Sequence, residues 1–81
     1  MPRSRKRYII SDPKGIFFLG SYYPAMYAGR DKQTGERTWS NTFYELFETR
    51  KAAKTVLDVL IHEGKTECEI ITINLNDEDI G

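Results

Sequence analysis

Eighty-one residues make one domain, short enough that folding hides only about 60–65% of the surface the unfolded chain exposes. A composition 40% hydrophobic and 30% charged excludes a disordered tail, and apolar runs of four or five residues exclude a membrane-spanning helix. Net charge is zero but polarised: residues 1–37 carry eight Lys/Arg against three Asp/Glu, and residues 38–81 carry four against nine. Such polarity either steers a partner or is neutralised where the two halves meet in the fold, and neutralisation is the expected outcome.

In chain order, residues 1–7 read as a flexible basic arm carrying Arg3, Arg5, Lys6 and Arg7, without an apolar period. No apolar signal-peptide core follows it. The folded domain is expected over residues 8–75, with an acidic tail at 76–81. Tyr8–Ser11 and Ile16–Gly20 read as strands joined at Asp12-Pro13-Lys14-Gly15, whose composition is that of a turn. Ser21–Ala28, interrupted by Pro24, suits a loop or an edge. Met26–Arg30 and Arg37–Ser40 flank a polar tip and predict a second hairpin.

Ala53, Val56, Leu57, Leu60 and Ile61 recur at helical spacing, predicting a helix near residues 50–63 that stops at Gly64. Thr49 is one candidate N-cap. Thr42 with Glu45 forms a rival capping box that would begin the helix earlier. The shorter helix is favoured, with Phe43–Glu48 as a strand or irregular lead-in. Glu67–Leu75, rich in β-branched residues, predicts the closing strand. The expected fold is α+β: a small antiparallel sheet of four to five strands with one helix packed on one face, in the order β-β-(β-β)-α-β. A single helix covers one sheet face, so the second is solvated, covered by Ser21–Ala28 or covered by a partner.

No residue set converges on catalysis. Cys68 lies between Glu67 and Glu69, whose charges disfavour a thiolate, and a lone cysteine fits a reducing, cytoplasmic setting. His62 falls in the last helical turn, where it meets the carbonyl end of the dipole. One His and one Cys do not make an ordinary metal site, and no cofactor is expected. Gly64-Lys65-Thr66 imitates part of a phosphate loop, but Val59 stands where its first glycine belongs. The remaining candidates are surface groups. Arg3, Arg5, Lys6 and Arg7 could meet phosphates. Phe17, Tyr22, Tyr23, Tyr27 and Trp39 could form an exposed aromatic face for bases or for a protein. Phe17 and Phe18, being neighbours on a strand, point to opposite faces, so one of them is expected under the helix.

The stretch Phe47-Glu48-Thr49-Arg50-Lys51-Ala52-Ala53-Lys54, then Val56-Leu57, Leu60 and an Ile-rich strand, stands after a hairpin carrying Trp39. This pattern of residue types over residues 8–75 resembles small accessory proteins encoded by bacteriophages and prophages. That resemblance implies a one-helix sheet domain that regulates or inhibits host machinery, and it carries over no binding residues. The expected function is therefore a non-enzymatic protein-binding module, an inhibitor or modulator of a host protein such as a defence factor. Its expected partner is that host protein or a second copy in a homodimer, without a membrane role. The alternative is a nucleic-acid-binding regulator using the basic arm and the sheet aromatics.

Overall fold

The computed structural model describes residues 4–76. Its elements are β1 (Ser4–Phe18), β2 (Ser21–Arg30), β3 (Arg37–Ser40), α1 (Arg50–His62) and β4 (Glu69–Asn76). The strands form one antiparallel sheet in the order β3-β2-β1-β4, and α1 packs against β1 and β4. The chain is thus α+β, with four strands and one helix.

β1 is one long strand where the sequence predicts an arm, a short strand, a turn and a second strand. Ser4–Arg7 are paired with Asn76–Ile73 of β4, so these residues are sheet and not arm. Their side chains lack an apolar period because it is the backbone ladder that holds them. Arg3 and residues 77–81 lie outside the described residues, and Asn76, expected in the tail, ends β4. Asp12–Gly15 do not reverse the chain. The pairs Asp12↔Ala25 and Ile16↔Tyr23 bracket three residues of β1 against one of β2, which makes a bulge. Asp12 Oδ1 accepts from the Lys14 N–H at 2.9 Å, the same local bond a turn would use. Pro24 stands opposite the bulge, between the paired positions, where its missing N–H costs the ladder little. Ser21–Ala28 is therefore strand and not a covering loop.

The reversal comes at Leu19-Gly20. Their φ values of 50° and 82° give a two-residue turn of type I′ between Phe18 and Ser21, whose twist suits a tight hairpin. The second hairpin forms as expected. Asp31 Oδ1 accepts from the N–H groups of Gln33 and Thr34 at 2.7 and 3.1 Å, and Gly35 supplies a positive φ of 75°.

Thr49 caps the helix: its Oγ1 accepts from the Ala52 N–H at 3.1 Å. Thr42 is engaged elsewhere, its N–H donating to Ser40 Oγ at 3.1 Å. The lead-in is irregular and runs beside β1 and β2. The Glu45 N–H donates to the Tyr27 carbonyl at 2.9 Å, and Phe47 and Tyr8 exchange backbone bonds of 2.8 and 2.9 Å. At the far end Gly64 (φ 108°) donates to the Ile61 carbonyl and Lys65 to that of Leu60, closing a Schellman motif. Between helix and sheet lie Ile10, Tyr27, Phe47, Ala53, Leu60 and Cys68, with Tyr8, Trp39, Val56, Leu57 and Ile70 packed around them.

Candidate functional site: an exposed aromatic hairpin

β4 pairs with β1 only over Ser4–Ser11, and β3 pairs with β2 only from Met26 onward. Residues Ile16–Tyr23 consequently pair with one another alone, as a two-stranded ribbon extending the sheet beyond its four-stranded part. Phe17 stands directly opposite Tyr22, with ring centroids 4.9 Å apart and planes tilted by 51°. Alternation sends Ile16, Phe18 and Tyr23 to the ribbon's other side. Neither side lies under the helix, although Tyr22 lines a cavity with residues 63–67 at the helix end and with Asp12 and Lys14. Phe17, Phe18, Leu19, Tyr22 and Tyr23 remain 62%, 60%, 86%, 60% and 46% exposed. The expectation that Phe17 or Phe18 lies under α1 fails because the helix reaches only the wide part of the sheet.

Two observations separate this patch from scattered surface apolar residues. No charged residue occurs from Gly15 to Gly29. Leu19, the most exposed of the five, also holds a left-handed backbone conformation that costs a non-glycine residue roughly 1 kcal/mol. Folding gains little from so exposed a side chain, so its presence there points to a use outside the fold.

The other expected site residues divide sharply. Tyr27 is 3% exposed and belongs to the core, stacked on Phe47 at 6.4 Å and edge-on to Trp39 at 5.6 Å. Trp39 is half-buried against that core, with the Lys65 ammonium 4.8 Å above its ring. Both face the helix and neither joins an open aromatic face. Arg5 and Lys6 are exposed near the start of β1, and half-buried Arg7 donates from Nη1 to the Lys6 carbonyl at 2.9 Å. Phe17 stands ten positions after Arg7 on β1, roughly 30 Å of extended chain, so the basic residues at the start of the strand and the aromatic groups are not brought together. Phe18 and Leu19 join the patch although the residue types alone do not mark them; the uncharged run around them is the signal in the sequence.

A second cluster gathers the ionisable groups at the end of α1. Buried Asp12 meets Lys65 Nζ at 3.3 Å, Lys14 approaches Glu67 at 3.5 Å, and Arg37 grips Glu63 through Nε and Nη2 at 2.9 and 3.2 Å. Arg37 Nη1 also donates to the Tyr27 hydroxyl at 3.0 Å. Lys14–Glu67 and Arg37–Glu63 set cations of the basic half against anions of the acidic half, so the polarity is partly neutralised internally, whereas Asp12–Lys65 joins the halves in the opposite sense. Arg37's hydrogen bonds hold the Glu63 carboxyl below its usual range, and backbone N–H groups of Thr34 and Gln33 do the same for Asp31. The Cys68 thiol is pushed up to about 11, first by burial and then by Asp12, not by the flanking glutamates that the sequence suggests. A thiol so shifted is a poor nucleophile. Among the described residues, no three His, Cys, Asp or Glu side chains gather as a metal site. Among them, too, no helix is long and apolar enough to cross a membrane.

Comparisons of the chain with protein-family models, with curated proteins and with solved structures returned no match.

Proposed function

We propose that this chain is a non-enzymatic protein-binding module that presents the tip of the β1–β2 hairpin to an apolar groove on a partner protein. The observation that carries this reading is the ribbon itself, five large apolar side chains exposed on a segment without charge. Aromatic side chains with few rotatable bonds suit this role, because they bury much area at a small entropic cost. The ionisable groups best placed for chemistry are engaged in ion pairs or, for Cys68, suppressed by burial. The resemblance to phage accessory proteins directs the search for the partner to a bacterial host protein, inhibited by occlusion of a working surface in the cytoplasm. Nucleic-acid binding is less favoured, since the cations that share a cavity with Tyr22, Lys14 and Lys65, are already paired with Glu67 and Asp12 and so are poorly placed to take up phosphates.

The test is affinity capture from bacterial lysate at near-physiological salt, with the wild-type chain beside a Phe17→Ser/Phe18→Ser variant of unchanged circular dichroism. A stoichiometric partner held by the wild type and lost by the variant is the expected result. Retention of the same partner by both, or of none by either, would reject the hairpin as the binding surface. Capture of single-stranded DNA or RNA that falls steeply with added salt would instead favour the nucleic-acid reading.

A further inference from the structure

The sheet has two outer strands, and they are guarded differently. β3 spans only four residues, begins with Arg37 and follows a register irregularity between Tyr27 and Arg30. Shortness, charge and irregularity are the usual defences of an edge. β4 is neither short nor irregular, and its one charge is Glu69 at its very start. It runs eight residues as Glu-Ile-Ile-Thr-Ile-Asn-Leu-Asn, without Lys, Arg or Pro, in unbroken register with β1 from Ser11↔Glu69 to Ser4↔Asn76.

The backbone on its free side can be assigned residue by residue. The Tyr8 N–H and carbonyl are both spent on Phe47, on the side of β1 away from β4. In an antiparallel pair the two facing residues either exchange both bonds or both turn away. Tyr8 pairs with Thr72, so the Thr72 N–H and carbonyl turn away from β1 as well, toward the open edge. The two-residue period extends this to Ile70 and Asn74. Three consecutive outward-facing positions form a template for another strand.

We propose that this edge pairs with the β4 of a second copy of the chain, antiparallel about a two-fold axis at Thr72, joining the two sheets into one of eight strands. This inference is independent of the hairpin reading and uses the opposite side of β1. Three features favour a second copy over an arbitrary peptide. The register places Thr72 against Thr72 and Ile70 against Asn74, so every outward position finds an outward partner. It sets Ile71 beside Ile73 of the second copy, on the face turned away from α1, where Ile71 is 39% exposed and lies next to buried Ile9. It also brings Glu69, at the acidic start of each β4, opposite position 75 of the other copy, whose neighbour on β1 is Arg5, so opposite charges approach and the two Glu69 residues stay apart.

Sedimentation of the full chain across micromolar to millimolar concentrations is expected to show a monomer–dimer equilibrium. Thr72→Pro removes an N–H that β1 does not use, so the fold stands while dimerisation weakens roughly thirtyfold or more from the two lost hydrogen bonds alone. Should that variant unfold, Ile71→Lys tests the same edge by setting a charge against Ile73 of the second copy. Thr72→Cys is expected to form an intermolecular disulfide under mild oxidation, whereas the wild type, whose only cysteine is buried, does not. A wild-type chain that stays monomeric throughout would overturn the proposal. So would a dimer that survives Thr72→Pro or Ile71→Lys but is lost in Phe17→Ser/Phe18→Ser.

Discussion

Gly15→Ala probes the bulge from which the aromatic hairpin departs. A Cβ at this position would lie 2.8 Å from Ala25 Cβ, 3.3 Å from the Ala25 backbone nitrogen and 3.3 Å from Trp39 Cε3. Carbon atoms in contact prefer about 3.5–4.0 Å, so the nearest approach is closer by more than half an ångström. Neither neighbour yields easily. Ala25 is fully buried on a central strand, and Trp39 packs against the core with Lys65 over its ring. Overpacking of this kind costs about 1–3 kcal/mol. A domain of this size holds roughly 4–12 kcal/mol in total, so the loss is a large fraction of its stability. Urea unfolding should report a lower midpoint with an unchanged slope, and thermal unfolding a fall of about 4–8 °C for each kcal/mol. Ala25→Gly removes the closest atom. In the double variant the two substitutions should therefore couple favourably, by about 1 kcal/mol or more relative to the sum of the singles. A Gly15→Ala protein as stable as wild type, or a double variant showing no coupling, would refute the packing of the bulge on Ala25.

Three other outcomes follow from local structure. Arg50 and Lys51 stand in a first helical turn that has no acidic residue, so Lys51→Glu should raise stability by about 0.3–1 kcal/mol in low-salt urea titrations, less at high salt. Arg37 depresses the Glu63 carboxyl, so that ion pair stabilises the fold above the ordinary carboxylate pKa, and its contribution disappears as pH falls through the lowered native value. Glu63→Gln should accordingly lower thermal stability at neutral pH, with the difference from wild type closing in acid. Leu19→Gly should relieve the left-handed strain and stabilise the hairpin by about 0.5–1 kcal/mol in urea, while reducing partner capture.

The parts of the fold set by local chemistry were legible in the sequence. Thr49, the apolar spacing of Ala53 to Leu60 and Gly64 describe α1 nearly to the residue, because caps and helical periodicity act within a few positions. The β2–β3 hairpin was legible for the same reason, through Asp31 and Gly35. Asp12-Pro13-Lys14-Gly15 misled because a bulge and a turn use the same side-chain bond to the residue two positions on. What separates them is pairing to β2 on one side and β4 on the other, with partners up to about seventy residues away. Leu19-Gly20 does not read as a reversal because leucine is a rare choice for a left-handed position. Sorting the aromatics also depended on distant information. Tyr27 is interior and Trp39 is half-buried beside it, whereas Phe17, Phe18, Tyr22 and Tyr23 are exposed, because β3 and β4 end short of the ribbon and α1 does not cover it. Only the uncharged run from Gly15 to Gly29 marked the ribbon in the sequence itself.

The claim that the hairpin aromatics serve a partner and not the fold is tested most directly by one urea titration, of wild type against Phe17→Ser/Phe18→Ser/Tyr22→Ser. Side chains that lie mostly in water contribute little burial, and the one cross-strand ring pair contributes roughly 1 kcal/mol. The triple variant should therefore unfold within about 1–1.5 kcal/mol of wild type. A loss of 4 kcal/mol or more, of the size expected for truncating a buried aromatic, would place these rings in a core and contradict the account.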